Sequence, residues 1–128
     1  MQIEHIAFNV NDPGAVAQWY AQNLNLKIIR KHGPPTHAHF LAAAPGQAML
    51  EIYTNPAGKV LDFREISALS THLAFSVKNL SEARERLIRA GGTADGEVSR
   101  NPEGDELAIV RDPWGFPIQL VRRVKPMV

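Results

Sequence analysis

Polar and apolar residues alternate from Gln2 to Val10, which predicts a strand with two unlike faces. Ile6, Phe8 and Val10 fall on one face, and Ile3, His5, Ala7 and Asn9 on the other. Asp12 then stands as an N-cap before Pro13, and Val16, Trp19 and Tyr20 carry helical spacing toward Asn23. Leu26 to Lys31 reads as a second strand and Gly33-Pro34-Pro35 as a turn. His39 to Ala43 and Ala48 to Tyr53 read as two more strands, joined at Pro45-Gly46. The first half is expected to run β-α-β-β-β.

Residues 55–69 carry no periodicity and are expected to connect two halves. The same order then recurs. Thr71 to Val77 is a strand, and Ser81 is expected to cap a helix whose Ala83, Leu87 and Ile88 face inward. Gly91-Gly92 stops that helix. Strands around Ala94–Ser99 and Glu106–Arg111, the turn Asp112-Pro113-Trp114-Gly115, and a strand from Pro117 to Arg122 follow. The pattern predicts an α+β fold of one domain: module one over 1–54, a connector over 55–69, module two over 70–123 and a tail over 124–128. Two βαβββ modules would form an open, barrel-like, eight-stranded mixed sheet with helices outside.

The recurrence is visible in the residues themselves. His5-Ile6-Ala7-Phe8-Asn9-Val10 returns as His72-Leu73-Ala74-Phe75-Ser76-Val77 about half the chain later. At nearly the same interval, Met49-Leu50-Glu51-Ile52-Tyr53 returns as Pro117-Ile118-Gln119-Leu120-Val121. Glu51 and Gln119 are thus equivalent, each polar between aliphatics and pointing away from them. A lone strand histidine is usually a hydrogen-bonded structural or surface residue. Two at equivalent positions, with Glu51 and Gln119 also equivalent, point instead to metal ligation by His5, Glu51, His72 and Gln119. Imidazole nitrogens with carboxylate and amide oxygens suit a divalent cation such as Zn, Ni, Co, Mn or Fe. The small neighbours Ala7, Asn9, Ala74 and Ser76 would leave room for substrate. His37 and His39 share a strand face and read as a turn-strand pair.

Composition narrows the choices. The 128 residues are 45% hydrophobic and 21% charged, with 14 basic and 13 acidic side chains. A formal net charge of +1 gives no electrostatic footprint for nucleic acid or an anionic membrane. No apolar run approaches a membrane span, and no charged-then-apolar leader opens the sequence, so a cytoplasmic protein is expected. The absence of cysteine removes thiolate catalysis and Cys-ligated metal sites.

Taken in order, Ile3-Glu4-His5-Ile6-Ala7-Phe8, Leu50-Glu51-Ile52-Tyr53, His72-Leu73-Ala74-Phe75 and Asp112-Pro113-Trp114-Gly115 resemble the vicinal oxygen chelate superfamily. That superfamily includes glyoxalase I, methylmalonyl-CoA epimerase, extradiol dioxygenases and the bleomycin and fosfomycin resistance proteins. The resemblance covers nearly the whole chain. It implies a glyoxalase-like fold, a homodimer, and one metal ligand from each of the strands bearing His5, Glu51, His72 and Gln119. It also implies a metal-dependent lyase or isomerase that chelates a small-molecule substrate through adjacent oxygens and moves a proton beside a polarised carbonyl.

Gln119 departs from that pattern, because glyoxalase-like and epimerase-like members usually carry glutamate there. An amide oxygen can coordinate but cannot act as a base near neutral pH. Proton transfer is therefore expected to fall to Glu51, loosened from the metal, or to a bound water. The departure weakens glyoxalase I in its usual form, an extradiol-type dioxygenase more, and also a thiol transferase of the fosfomycin-resistance kind. It favours the rival reading of a non-catalytic, bleomycin-resistance-like binding protein, against which His5 and His72 argue, since metal-free relatives of that kind usually lack the histidine set. Phe40, Tyr53, Arg111 and Trp114 are candidate substrate contacts, while Arg30 and Arg64 are further cations able to meet a carboxylate or phosphate.

Overall fold

The computed structural model describes residues 1–127 and divides into two compact units, Met1–Leu61 and the chain from Asp62 onward. The connector expected over 55–69 is thereby split between the units.

In the first unit the elements are β1 (His5–Asn9), α1 (Pro13–Asn23), β2 (Lys27–Lys31), β3 (His39–Ala42) and β4 (Met49–Tyr53). They form a mixed four-stranded sheet in the order β1-β4-β3-β2, with β1 parallel to β4 and the other pairs antiparallel. Helix α1 starts where the sequence predicts it, because the Asp12 carboxylate accepts from the Ala15 N–H at 3.0 Å and Pro13 loses no hydrogen bond at the first position. Its buried Val16, Ala17, Trp19 and Tyr20 lie over β3 and β4, where Leu41 and Ile52 are fully buried. Each such Leu or Ile contributes roughly 1.5–3 kcal/mol of burial.

The second unit repeats this plan. It opens with a short 3-10 turn, Phe63–Glu65, and continues with β5 (Leu73–Ser76), α2 (Leu80–Arg89), β6 (Thr93–Arg100), β7 (Glu106–Arg111) and β8 (Pro117–Arg122). The sheet order is β5-β8-β7-β6, again with the first pair parallel. Two details of α2 differ from expectation. Asn79 rather than Ser81 caps the helix, since the Asn79 carboxamide accepts from the Glu82 N–H at 3.1 Å and Ser81 already lies in the first turn. Ile88 is 36% exposed, because Leu80, Ala83 and Leu87 make the inward stripe and Ile88 falls beside it. The helix ends at Arg89 with Ala90 as its C-cap, and Gly91 just beyond has a φ of +100°, which suits glycine.

Buried Asp105 fixes the segment after β8, accepting from the Arg123 guanidinium at 2.7 Å, the Val124 N–H at 2.7 Å and the Asn101 amide at 3.1 Å. The Arg123 hydrogen bond, then those from Val124 and Asn101, hold this carboxyl below the usual carboxylate range against the opposing effect of burial. Among the described residues, no helix is long and apolar enough to cross a membrane.

Candidate functional site

The face of each sheet opposite its helix carries the candidate chemistry. In the first unit, Ala7 on β1 pairs with Glu51 on β4, Glu51 pairs with Phe40 on β3, and Phe40 pairs with Arg30 on β2. Paired residues point to the same side, so these four form one row across the sheet. His5 lies two residues before Ala7 and shares that side. Its Nε2 stands 3.3 Å from a carboxylate oxygen of half-buried Glu51. Two ligands about 2.0–2.2 Å from one ion in tetrahedral geometry take a separation of this size.

The other ring nitrogen of His5 is already committed, since Nδ1 hydrogen-bonds the Glu4 carboxylate. That bond raises the pKa of His5 above its ordinary value; burial opposes it, and the charges of Glu4 and then Glu51 add to it. A carboxylate on Nδ1 also fixes the tautomer that presents Nε2, as is common for metal-binding histidines. The ring of Phe40 meets His5 edge-on at 6.0 Å, and His32 packs on the other side of Phe40 at 5.7 Å.

The second unit has the matching register: Ala74 on β5 pairs with Gln119 on β8, and His72 lies two residues before Ala74. His72 is exposed just ahead of β5, and its Nδ1–H donates to the Ala68 carbonyl at 2.8 Å. A carbonyl can only accept, so in the neutral ring of His72 the lone pair lies on Nε2. Both histidines are thus anchored through Nδ1 and present Nε2. Among the described residues, no three His, Cys, Asp or Glu side chains gather into a group able to hold a metal. His5 on β1 and Glu51 on β4 form a pair within the first unit; in the second unit Gln119 stands on β8, while His72, expected within a strand, immediately precedes β5.

The remaining candidates fall into distinct surroundings. Phe40 lies against His5, and Tyr53 is half-buried two residues beyond Glu51 on the same side. Trp114 is half-buried in the turn before β8, where its backbone N–H donates to the buried Asp112 carboxylate at 2.9 Å. Arg111 is tied into the framework. It donates to Asp95 at 2.8 Å and to the carbonyls of Phe63, Gly115 and Ile66 at 2.8, 3.0 and 3.0 Å, using four of its five N–H donors. His39, the first residue of β3, donates from Nδ1 to the His37 carbonyl at 2.8 Å, which ties the strand to the segment that enters it.

Sequence reasoning passed over three contributors. Glu4 was signalled by its place beside His5. The Ala68 carbonyl has no side-chain signature. Asn9, read as a small neighbour, is committed: its amide donates to the carbonyls of Asn55 and Gly58 at 3.0 Å each and accepts from the Asn55 N–H at 2.8 Å. It therefore holds the chain that leaves β4.

Two βαβββ units with mixed sheets define an α+β, glyoxalase-like protein, and comparison with known proteins agrees. The chain belongs to the Glyoxalase/Bleomycin resistance protein/Dioxygenase superfamily, whose profile matches residues 2–120. A lactoylglutathione lyase of Escherichia coli O157:H7 is 28% identical over 127 residues, covering 94% of this chain and 92% of that protein. Crystallographic glyoxalase I from Zea mays aligns with a TM-score of 0.78 at 21% identity, over 97% of this chain and 45% of that one. A glyoxalase/bleomycin resistance protein from Albidiferax ferrireducens T118 aligns with a TM-score of 0.67 at 22% identity, over 94% and 98% of the respective chains.

Proposed function

We propose that His5, Glu51, His72 and Gln119 are ligands of one divalent cation and that the protein is a lyase or isomerase acting on a small molecule with adjacent oxygens. The observation that carries this reading is the common anchoring of the histidines, each held through Nδ1 so that Nε2 is the nitrogen left for a ligand bond, with Glu51 3.3 Å from the first of them. The lactoylglutathione lyases among its relatives support the reaction class.

When bound, the cation supplies Lewis-acid polarisation of a carbonyl. Glu51 is the proton carrier, because Gln119 has no basic site on its amide. The Glu4 carboxylate orients His5 and favours its lone pair at Nε2, while Ala68 does the same for His72. Phe40 shields the His5–Glu51 pair on one side. Gln119 is also what a protein retired from catalysis would carry, so a binding protein without turnover is the second reading.

Elemental analysis of protein purified without chelator tests the first reading. A bound divalent metal approaching one equivalent is expected. A content below about a tenth of an equivalent, with no gain on adding Ni, Zn, Co or Mn, would sink it.

A further inference from the structure

Three arginines were open as partners for an anion, and the structure separates them. Arg111 is bonded to Asp95 and three carbonyls, and Arg64 donates to the Pro113 carbonyl at 3.0 Å. Arg30 is exposed and, among the described residues, its side chain has no hydrogen bond or ion pair. Strand β2 carries an irregularity between Ile28 and Arg30. Strict alternation would put both on one side of the sheet; instead half-buried Ile28 pairs with fully buried Leu41, and Arg30 pairs with Phe40. The extra residue, Ile29, therefore re-aims Arg30 onto the face that carries His5 and Glu51, a use to which bulges beside sites are put. His32, two residues further on, reaches the same face, with its ring against Phe40 at 5.7 Å.

Phe40 thus lies between two ends of one surface. At one end are His5 and the carboxylates Glu4 and Glu51; at the other are Arg30 and His32. With strands about 4.8 Å apart, the backbones of Arg30 and Glu51 are separated by about 10 Å, a span a small ligand can bridge between two long side chains. We propose that Arg30, with His32 beside it, is an anion subsite that takes a carboxylate or phosphate at the end of the substrate remote from its adjacent oxygens. The inference rests on the metal-chelation reading and adds a substrate class to it: acids rather than neutral carbonyl compounds. Guanidinium geometry suits either anion, and the negative end of the surface directs it away from Glu51.

Calorimetric titration of the metal-loaded protein tests this with three probes. 2-Oxopentanoate offers adjacent oxygens alone, 2-oxoglutarate adds a remote carboxylate, and phosphonopyruvate adds a phosphonate. Wild-type protein should bind at least one of the two doubly anionic probes about tenfold more tightly than 2-oxopentanoate, the worth of one charge-assisted pair. The stronger of the two identifies the anion. Arg30→Gln should remove the preference, and Lys31→Gln, on the opposite side of β2, should keep it. Equal binding of all three probes, or a preference that survives Arg30→Gln, overturns the subsite while leaving metal chelation standing. Metal uptake with no binding of any probe, or no metal uptake, defeats the chelation reading and the subsite with it.

Discussion

Replacing Glu51 with glutamine should lower turnover by a factor of about 10²–10⁴, the usual contribution of a positioned acid or base. The side chain keeps its size and half-buried place opposite Ala7 and Phe40, so the sheet should be undisturbed. What changes is chemical. Glu51 is the one carboxylate among the four candidate ligands, and the substitution leaves a set of two histidines and two amides. With both imidazoles engaged on the cation, no carboxylate would then remain to accept a proton near neutral pH. Turnover measured at saturating metal, with unchanged thermal unfolding, checks the prediction. An undiminished rate would remove Glu51 from the chemistry.

The largest effect on stability is expected at Gly115. Its φ of +95° is a conformation that residues with a Cβ rarely adopt, and a Cβ added there would sit 2.9 Å from the backbone nitrogen of Arg64. Backbone cannot step aside as a side-chain end can. Gly115→Ala should therefore cost about 3 kcal/mol, combining the left-handed penalty with overpacking. The turn is also where several bonds meet: the Asp112 carboxylate accepts from the N–H groups of Trp114 and Phe116 at 2.9 Å each, and Arg111 donates to the Gly115 carbonyl at 3.0 Å. Forcing the turn open should loosen the 63–66 segment that Arg111 and Arg64 hold against it. Denaturant unfolding reads the loss, and a change below about 1 kcal/mol would contradict the close approach.

Much of this architecture was legible because the apolar spacing is regular and the two halves agree. Alternation around His5 and the Asp12-Pro13 start of α1 depend on neighbours in sequence, and both were read as they stand. The cap of α2 was misread because Asn79 and Ser81 are both good capping residues two positions apart, and only the hydrogen bond to Glu82 decides between them. Arg111 and Asn9 mark a deeper limit. Their residue types suggest contact with ligand, but their partners are main-chain carbonyls 45 to 49 residues away, which no side-chain pattern announces. The same applies to the Ala68 carbonyl under His72. By contrast, the re-aiming of Arg30 depends on one extra residue in β2, a count that strand alternation cannot supply in advance.

The central claim is that the repeated histidines serve a single ion. Calorimetric titration of Ni or Zn into wild-type, His5→Ala and His72→Ala proteins tests it most directly. Each substitution alone should weaken binding at least about 100-fold, beyond what loss of an outer partner costs. If either variant bound the metal with wild-type affinity, the two histidines would not share an ion.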